Sequence, residues 1–116
     1  MRIAAANGDV KIADDVFLSI CGHAATNCFG VKGMASRGDG IVRLLRKDNL
    51  SKGVKIIPCE SEGKIAIELH IAVEYGVNLP AVCESIISEV RYNVERLTGV
   101  PVGSVDVFVD SVHCGP

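Results

Sequence analysis

Residues 64–75, with the sequence KIAIELHIAVEY, decide the fold because their apolar side chains occupy every second position. Successive side chains of a β-strand point to opposite faces, so this alternation predicts one long strand with an apolar face and a polar face. The polar face carries Glu68, His70 and Glu74, which we interpret as a solvated sheet surface rather than an acid–base pair. Strands with one wet face occur mainly in antiparallel or mixed sheets.

The segment that follows predicts an amphipathic helix. Asn78 is a favourable N-cap, and Pro80 suits the first turn because its missing N–H would be unpaired there anyway. Gly99 and Pro101 end the helix, and a final strand is predicted around residues 105–109. Apolar residues recur at the helical spacings of three and four: Leu79, Val82, Cys83, Ile86, Ile87, Val90, Val94 and Leu97.

The first half of the chain follows a similar pattern less regularly. We predict a short strand at residues 10–12, a helix over residues 14–28, a strand at residues 29–35 and a short helix at residues 41–46. A strand at residues 53–59 then joins the long strand through a hairpin at residues 60–63. Residues 1–116 are therefore predicted to form a single α+β domain. It is a two-layer sandwich, with two main amphipathic helices packed against a mixed, largely antiparallel sheet.

The composition narrows the class of protein. A chain of 116 residues with 48% hydrophobic residues can bury one ordinary core. A net charge of −2 and 4% aromatic residues argue against a strongly basic nucleic-acid binder and against aromatic stacking platforms. Five cysteines without a CxxC pair, after an opening too short for the apolar part of a secretory signal, predict a reducing cytoplasm. The longest uncharged segment, residues 16–31, is too short for a membrane span of roughly 20 apolar residues.

The charge is distributed unevenly along the chain. Residues 1–57 contain nine Lys/Arg and five Asp/Glu, a net of +4, whereas residues 58–116 contain three and nine, a net of −6. Such asymmetry can steer a partner, a nucleic acid or an anionic surface, and it can support head-to-tail self-association. Our candidate interaction site, the basic patch, consists of Arg43, Arg46, Lys47, Lys52 and Lys55.

Three patterns are candidates for sites of chemistry. Cys21, His23 and Cys28 suggest zinc, but on one straight helix His23 is rotated roughly 200° from Cys21, so we expect two core cysteines and a solvent-facing histidine. Cys114 and His113 are adjacent, so on a strand their side chains point apart. The glycine-rich segments at residues 30–33 and 37–40 lack the Walker ending. We expect no catalytic, metal-binding or cofactor-binding residues and no cofactor.

Several segments together resemble the alkaline shock protein family, the envelope stress response proteins of Gram-positive bacteria. They are NLSKGVK at residues 49–55, YGVNLP at 75–80 and LTGV at 97–100, with the strands at 64–74 and 105–109. Residues 8–13 and 30–34 also fit, so the resemblance covers nearly the whole chain. It implies a non-enzymatic cytoplasmic protein that supports cell-wall and envelope homeostasis. It also implies action by self-assembly or by binding a membrane-anchored partner that holds the protein at the membrane.

Two other functions remain open from the residues alone. The basic patch can serve a nucleic-acid-binding module, in which case the affinity would fall steeply with salt because phosphate contacts release counterions. A metal- or small-ligand-binding protein is the third alternative, and the cysteines are its only support.

The double substitution Lys52→Glu with Lys55→Glu tests the basic patch. If the patch mediates binding, replacing two positive charges by negative ones weakens the complex with the partner or with a second copy. Binding by the double variant at wild-type affinity, measured by sedimentation, would eliminate the patch as the interaction site.

Overall fold

The computed structural model describes residues 2–38, 41–44, 53–59 and 61–114, with the backbone alone described for residues 3–5, 36–38 and 41–44. Its element order confirms an α+β fold with two helices. The elements are β1 (Arg2–Ala5), β2 (Gly8–Lys11), α1 (Asp14–Thr26), β3 (Val31–Gly38), β4 (Ile41–Leu44), β5 (Val54–Cys59), β6 (Lys64–Glu74), α2 (Leu79–Thr98) and β7 (Val102–His113).

Strand β6, the alternating segment of the sequence, is the centre of the main sheet. Strand β7 runs parallel along one edge of β6, from the pair Ile65–Val102 to the pair Glu74–His113. The opposite edge is shared by two antiparallel strands placed end to end: β5 pairs with residues 64–69 and β3 with residues 71–73. The sheet is therefore mixed and largely antiparallel, as predicted.

Both helices cover the same face of this sheet. The apolar residues of β6, from Ile65 to Val73 at alternate positions, are almost completely buried. Helix α2 lies against β7, and α1 lies against β3, β5 and α2. The helices supply Phe17, Cys21, Ala24 and Ala25 from α1 and Val82, Ile86, Val90 and Val94 from α2 to one shared core. The period-2 face of β6 and the helical stripe of α2 thus bury each other.

The ends of α2 form as the sequence predicts. The Asn78 side chain accepts a hydrogen bond from the Ala81 N–H at 3.0 Å, and Pro80 occupies the first turn. Gly99 ends the helix with a φ of 73°, a left-handed conformation that glycine adopts without steric cost. The Glu95 carboxylate accepts a hydrogen bond from the Val102 N–H at 3.0 Å, which fixes the start of β7 to the last turn of the helix.

The prediction of a helix at residues 41–46 was wrong. Residues 41–44 form β4, which pairs antiparallel with β3 from Gly38–Ile41 to Ala35–Leu44. The β-branched pair Ile41 and Val42 favours a strand, and the pairing with β3 stabilises it. Residues 45 and 46 lie outside the described residues.

Other boundaries also differ from the predictions. Strand β1 was not predicted, although Asn7, before β2, and Gly8, the first residue of β2, together are a strong hairpin signal. Helix α1 ends at Thr26, so Cys28 follows the helix, and β3 begins at Val31 with an irregular register before Gly33. The last strand extends over twelve residues rather than five.

Gly53 lies at the junction of β3, β5 and β6, and we predict that Gly53→Ala destabilises the fold by about 2 kcal/mol through overpacking. A Cβ there would stand 2.9 Å from the Ala35 carbonyl oxygen and 3.1 Å from the His70 carbonyl oxygen, and backbone atoms cannot rotate away. The control is Gly103→Ala, whose Cβ meets nothing closer than 3.6 Å. Urea unfolding of both variants checks the prediction, and equal stability of the two would contradict it.

Candidate interaction surface

The structure places one side chain of the basic patch. Lys55 is exposed on β5. Arg43 lies on β4, where the backbone alone is described, and Arg46, Lys47 and Lys52 lie outside the described residues. The convergence of these five cations into one surface therefore stays a prediction.

Lys55 belongs to a row of charges that crosses the open face of the sheet. It is the register partner of Glu68 on β6, and Glu68 is the register partner of Asp106 on β7. Register partners project from the same face about 5 Å apart. The cation Lys55 and the anion Asp106 are both exposed at opposite edges of this three-stranded section, with Glu68 between them. The row therefore runs from a positive side chain on β5 to negative side chains on β6 and β7.

A second polar group on the same face joins β6 to β7. His70 Nδ1 lies 2.9 Å from an Asp110 carboxylate oxygen, and the His70 ring stacks on Phe108 with centroids 4.9 Å apart. The Asp110 side chain is only 8% exposed, so the histidine supplies the polar contact that its carboxylate needs. His70 is therefore part of a structural pair, whereas the sequence alone indicated a solvated side chain.

The aromatic side chains are distributed in an unusual way. The chain has five of them, and Phe17 alone belongs to the core. The exposed fractions of the other four are 88% for Phe29, 75% for Tyr75, 62% for Tyr92 and 44% for Phe108. Aromatic residues bury large areas when a partner covers them and are enriched at protein interfaces.

Phe29 and Tyr75, which we call the aromatic tip, lie at the same end of the molecule. The Glu74 N–H donates to the Gly30 carbonyl at 3.0 Å, and the Tyr75 N–H donates to the His113 carbonyl at 2.9 Å. Gly30 has a φ of 88° and approaches Val77 and Val82 so closely that its Cβ would stand 3.0 Å from each. These backbone contacts hold the two exposed rings on neighbouring, well-supported turns.

A match over nearly its whole length shows the family to which this chain belongs. A model of the alkaline shock protein family, described as having a cell envelope-related function, matches residues 2–114. The chain belongs to this family. The resemblance that the sequence motifs indicated is therefore confirmed.

The curated relatives have similar lengths. The uncharacterized protein YloU of Bacillus subtilis is 36% identical over 110 residues, which cover 91% of this chain and 89% of the relative. The uncharacterized protein Spy1614 of Streptococcus pyogenes is 33% identical over 115 residues, covering 97% of this chain and 93% of the relative. A second Bacillus subtilis protein, the uncharacterized YqhY, is 30% identical over 107 residues, covering 91% of this chain and 78% of the relative. No solved structure matches the chain significantly.

The cysteines of this family member are placed largely as predicted. Cys21 and Cys28 are buried, and His23 is exposed. Burial raises the pKa of the Cys21 thiol to about 12, and burial is also the main cause that raises the pKa of Cys28. Within the described part of the chain, no three His, Cys, Asp or Glu side chains come together as a metal site. The helices of that part are also too short or too polar to cross a bilayer.

Thiol labelling checks the placement of the cysteines. We predict that a maleimide reacts rapidly with the exposed Cys59 and Cys114 of the native protein and leaves Cys21 unmodified until the chain unfolds. The thiolate is the reactive form, and a pKa of about 12 keeps the Cys21 thiol protonated at neutral pH. Mass spectrometry of labelled peptides measures this difference, and equal rates at Cys21 and Cys59 would contradict the structure.

Proposed function

We propose that this family member is a non-enzymatic protein of envelope homeostasis that acts by binding other proteins, namely further copies of itself and a membrane-anchored partner. Its place of action is the cytoplasm, with membrane association through that partner. The observation that carries the proposal is the exposure of Phe29 and Tyr75 at one end of a small, well-packed domain. The cell envelope-related description of the family supports the cellular setting.

The exposed rings are better suited to a partner than to the fold. A phenylalanine that is 88% exposed contributes little to the core, because the hydrophobic effect acts on area removed from water. A partner that covers Phe29 and Tyr75 would gain this area, and buried aromatic anchors are the residues that dominate binding energy at interfaces. Val112, at the end of β7, is 49% exposed and adds to the apolar surface at the same end.

The backbone of the aromatic tip is held in place by hydrogen bonds before any partner binds. Phe29 precedes Gly30, whose carbonyl is hydrogen-bonded to β6, and the Tyr75 backbone is hydrogen-bonded to β7. A supported backbone loses less conformational freedom on association than a loose loop, so more of the interaction energy appears as affinity. These features favour a docking surface for a folded protein.

The double variant Phe29→Ser with Tyr75→Ser tests the proposal. Membranes are prepared from cells in which the gene for this protein has been deleted, mixed with the purified chain and pelleted. We expect the wild type to pellet with the membranes and the variant to bind about tenfold more weakly, because two aromatic anchors have been removed. Protease treatment of the membranes beforehand should abolish binding if a protein partner is responsible.

The matched control is Tyr92→Ser with Leu97→Ser, which removes two exposed apolar side chains from the second half of α2. This control should bind membranes as the wild type does, and circular dichroism should show both variants folded. Wild-type protein that neither pellets with membranes nor associates with itself would overturn the proposed function. Equal losses in the two double variants would exclude the aromatic tip as the docking surface.

A further inference from the structure

The three-stranded section β5–β6–β7 has two outer edges. Strand β7 pairs with β6 along one of its edges over nearly its whole length, and no described strand pairs with its other edge. Strand β5 likewise has β6 as its single partner among the described strands. Unpaired N–H and C=O groups along an edge are able to bind a strand from another chain.

The directions of the strands make the two outer edges compatible with each other. Strand β5 runs antiparallel to β6, and β7 runs parallel to it. If a second copy lies beside the first in the same orientation, its β5 runs antiparallel to the β7 of the first copy. Antiparallel pairing gives the slightly more stable hydrogen-bond ladder.

The charges on the two edge strands favour pairing of β7 with β5 over pairing of β7 with a second β7. Strand β7 carries Asp106 and Asp110 and contains no Lys or Arg, whereas β5 carries Lys55 and contains no Asp or Glu. Pairing β7 with a second β7 would bring negative charge next to negative charge, and like charges facing one another are disfavoured. Pairing β7 with β5 places the exposed Asp106 beside the exposed Lys55 of the next copy.

The apolar side chains of β7 and β5 are also compatible with this register. If Asp106 lies opposite Lys55 of the next copy, the antiparallel ladder places Val105 opposite Ile56 and Val107 opposite Val54. These four side chains all belong to or pack against the core on the helix-covered face. Val107 and Ile56 are only partly buried in the single chain, so the contact would cover them further. Pro58 lacks an N–H and would end the ladder beyond Ile57.

We propose that the β7 edge of one copy binds the β5 edge of the next copy, with Asp106 beside Lys55, so that the sheet continues from chain to chain. The contact joins two different surfaces, so an assembly of any length keeps one free β5 edge at one end and one free β7 edge at the other, and it grows without closing. The proposal deepens the self-association part of the proposed function and rests on it.

Charge reversal tests the contact. Sedimentation velocity and light scattering are measured over a concentration series at low salt for the wild type, Lys55→Glu, Asp106→Lys and the double variant with both substitutions. Each single reversal places like charges together and should weaken association about tenfold. The double variant restores opposite charges across the contact and should recover most of the wild-type association.

Two control variants carry the same changes of charge on elements other than the two edge strands. Lys11→Glu on β2 matches Lys55→Glu, and Glu84→Lys on α2 matches Asp106→Lys, since both residues are exposed. These controls should associate as the wild type does. Wild-type association that the single reversals leave intact, or that the double variant fails to recover, would overturn the β5–β7 contact while leaving self-association in place.

A wild type that stays monomeric at every concentration would overturn the contact and the self-association on which it rests. The membrane-anchored partner would then remain to be judged by the membrane-binding experiment, because that experiment depends on Phe29 and Tyr75 rather than on the sheet edges. The two results therefore separate failure of the contact from failure of the proposed function.

Discussion

Strand β6 must bury one face and pair both of its edges, and the rest of the structure is arranged around these two requirements. Its apolar face is covered by α1 and α2, which together supply most of the remaining core. One edge is paired by β7 alone, whereas the other needs two strands, β5 and β3, placed end to end. Gly53 stands where these strands meet because a larger residue would collide with backbone oxygens.

This arrangement also determines which surfaces remain for other proteins. The helices occupy one face of the sheet, so the polar row Lys55, Glu68 and Asp106 lies on the other. Strands β6 and β7 are parallel and end at the register partners Glu74 and His113. Tyr75 follows there, next to the turn after α1 that carries Phe29. Four of the five aromatic side chains are exposed, so a partner can contact them. The supported tip and the two sheet edges are separate surfaces, suited to different contacts.

Much of the fold could be predicted because its strongest elements have long, regular periods. The alternation in β6 and the capped stripe of α2 identify a wet-faced strand and an amphipathic helix without reference to other segments. Strand β4 has only the β-branched pair Ile41 and Val42 as a local signal, and so short a strand is stable only when it pairs with β3. Strand β1 had a local signal in Asn7-Gly8 that the sequence interpretation overlooked. The candidate site was less predictable, because the contact between His70 and Asp110 joins residues 40 positions apart and exists only in the parallel register of β6 and β7. The exposure of Phe29 and Tyr75 likewise depends on where two turns meet in the folded chain. The spacing of residues along the sequence does not predict that meeting point.

Hydrogen exchange of backbone amides in dilute and in concentrated solution tests most directly whether β6 is the protected centre of a sheet with two binding edges. We expect β6 to exchange most slowly at both concentrations, because both of its edges are already paired. Raising the protein concentration should then slow amide exchange specifically in β5 and β7. Protection that grows elsewhere while β5 and β7 stay unchanged, or a β6 that exchanges as fast as β7 in the dilute protein, would contradict this arrangement.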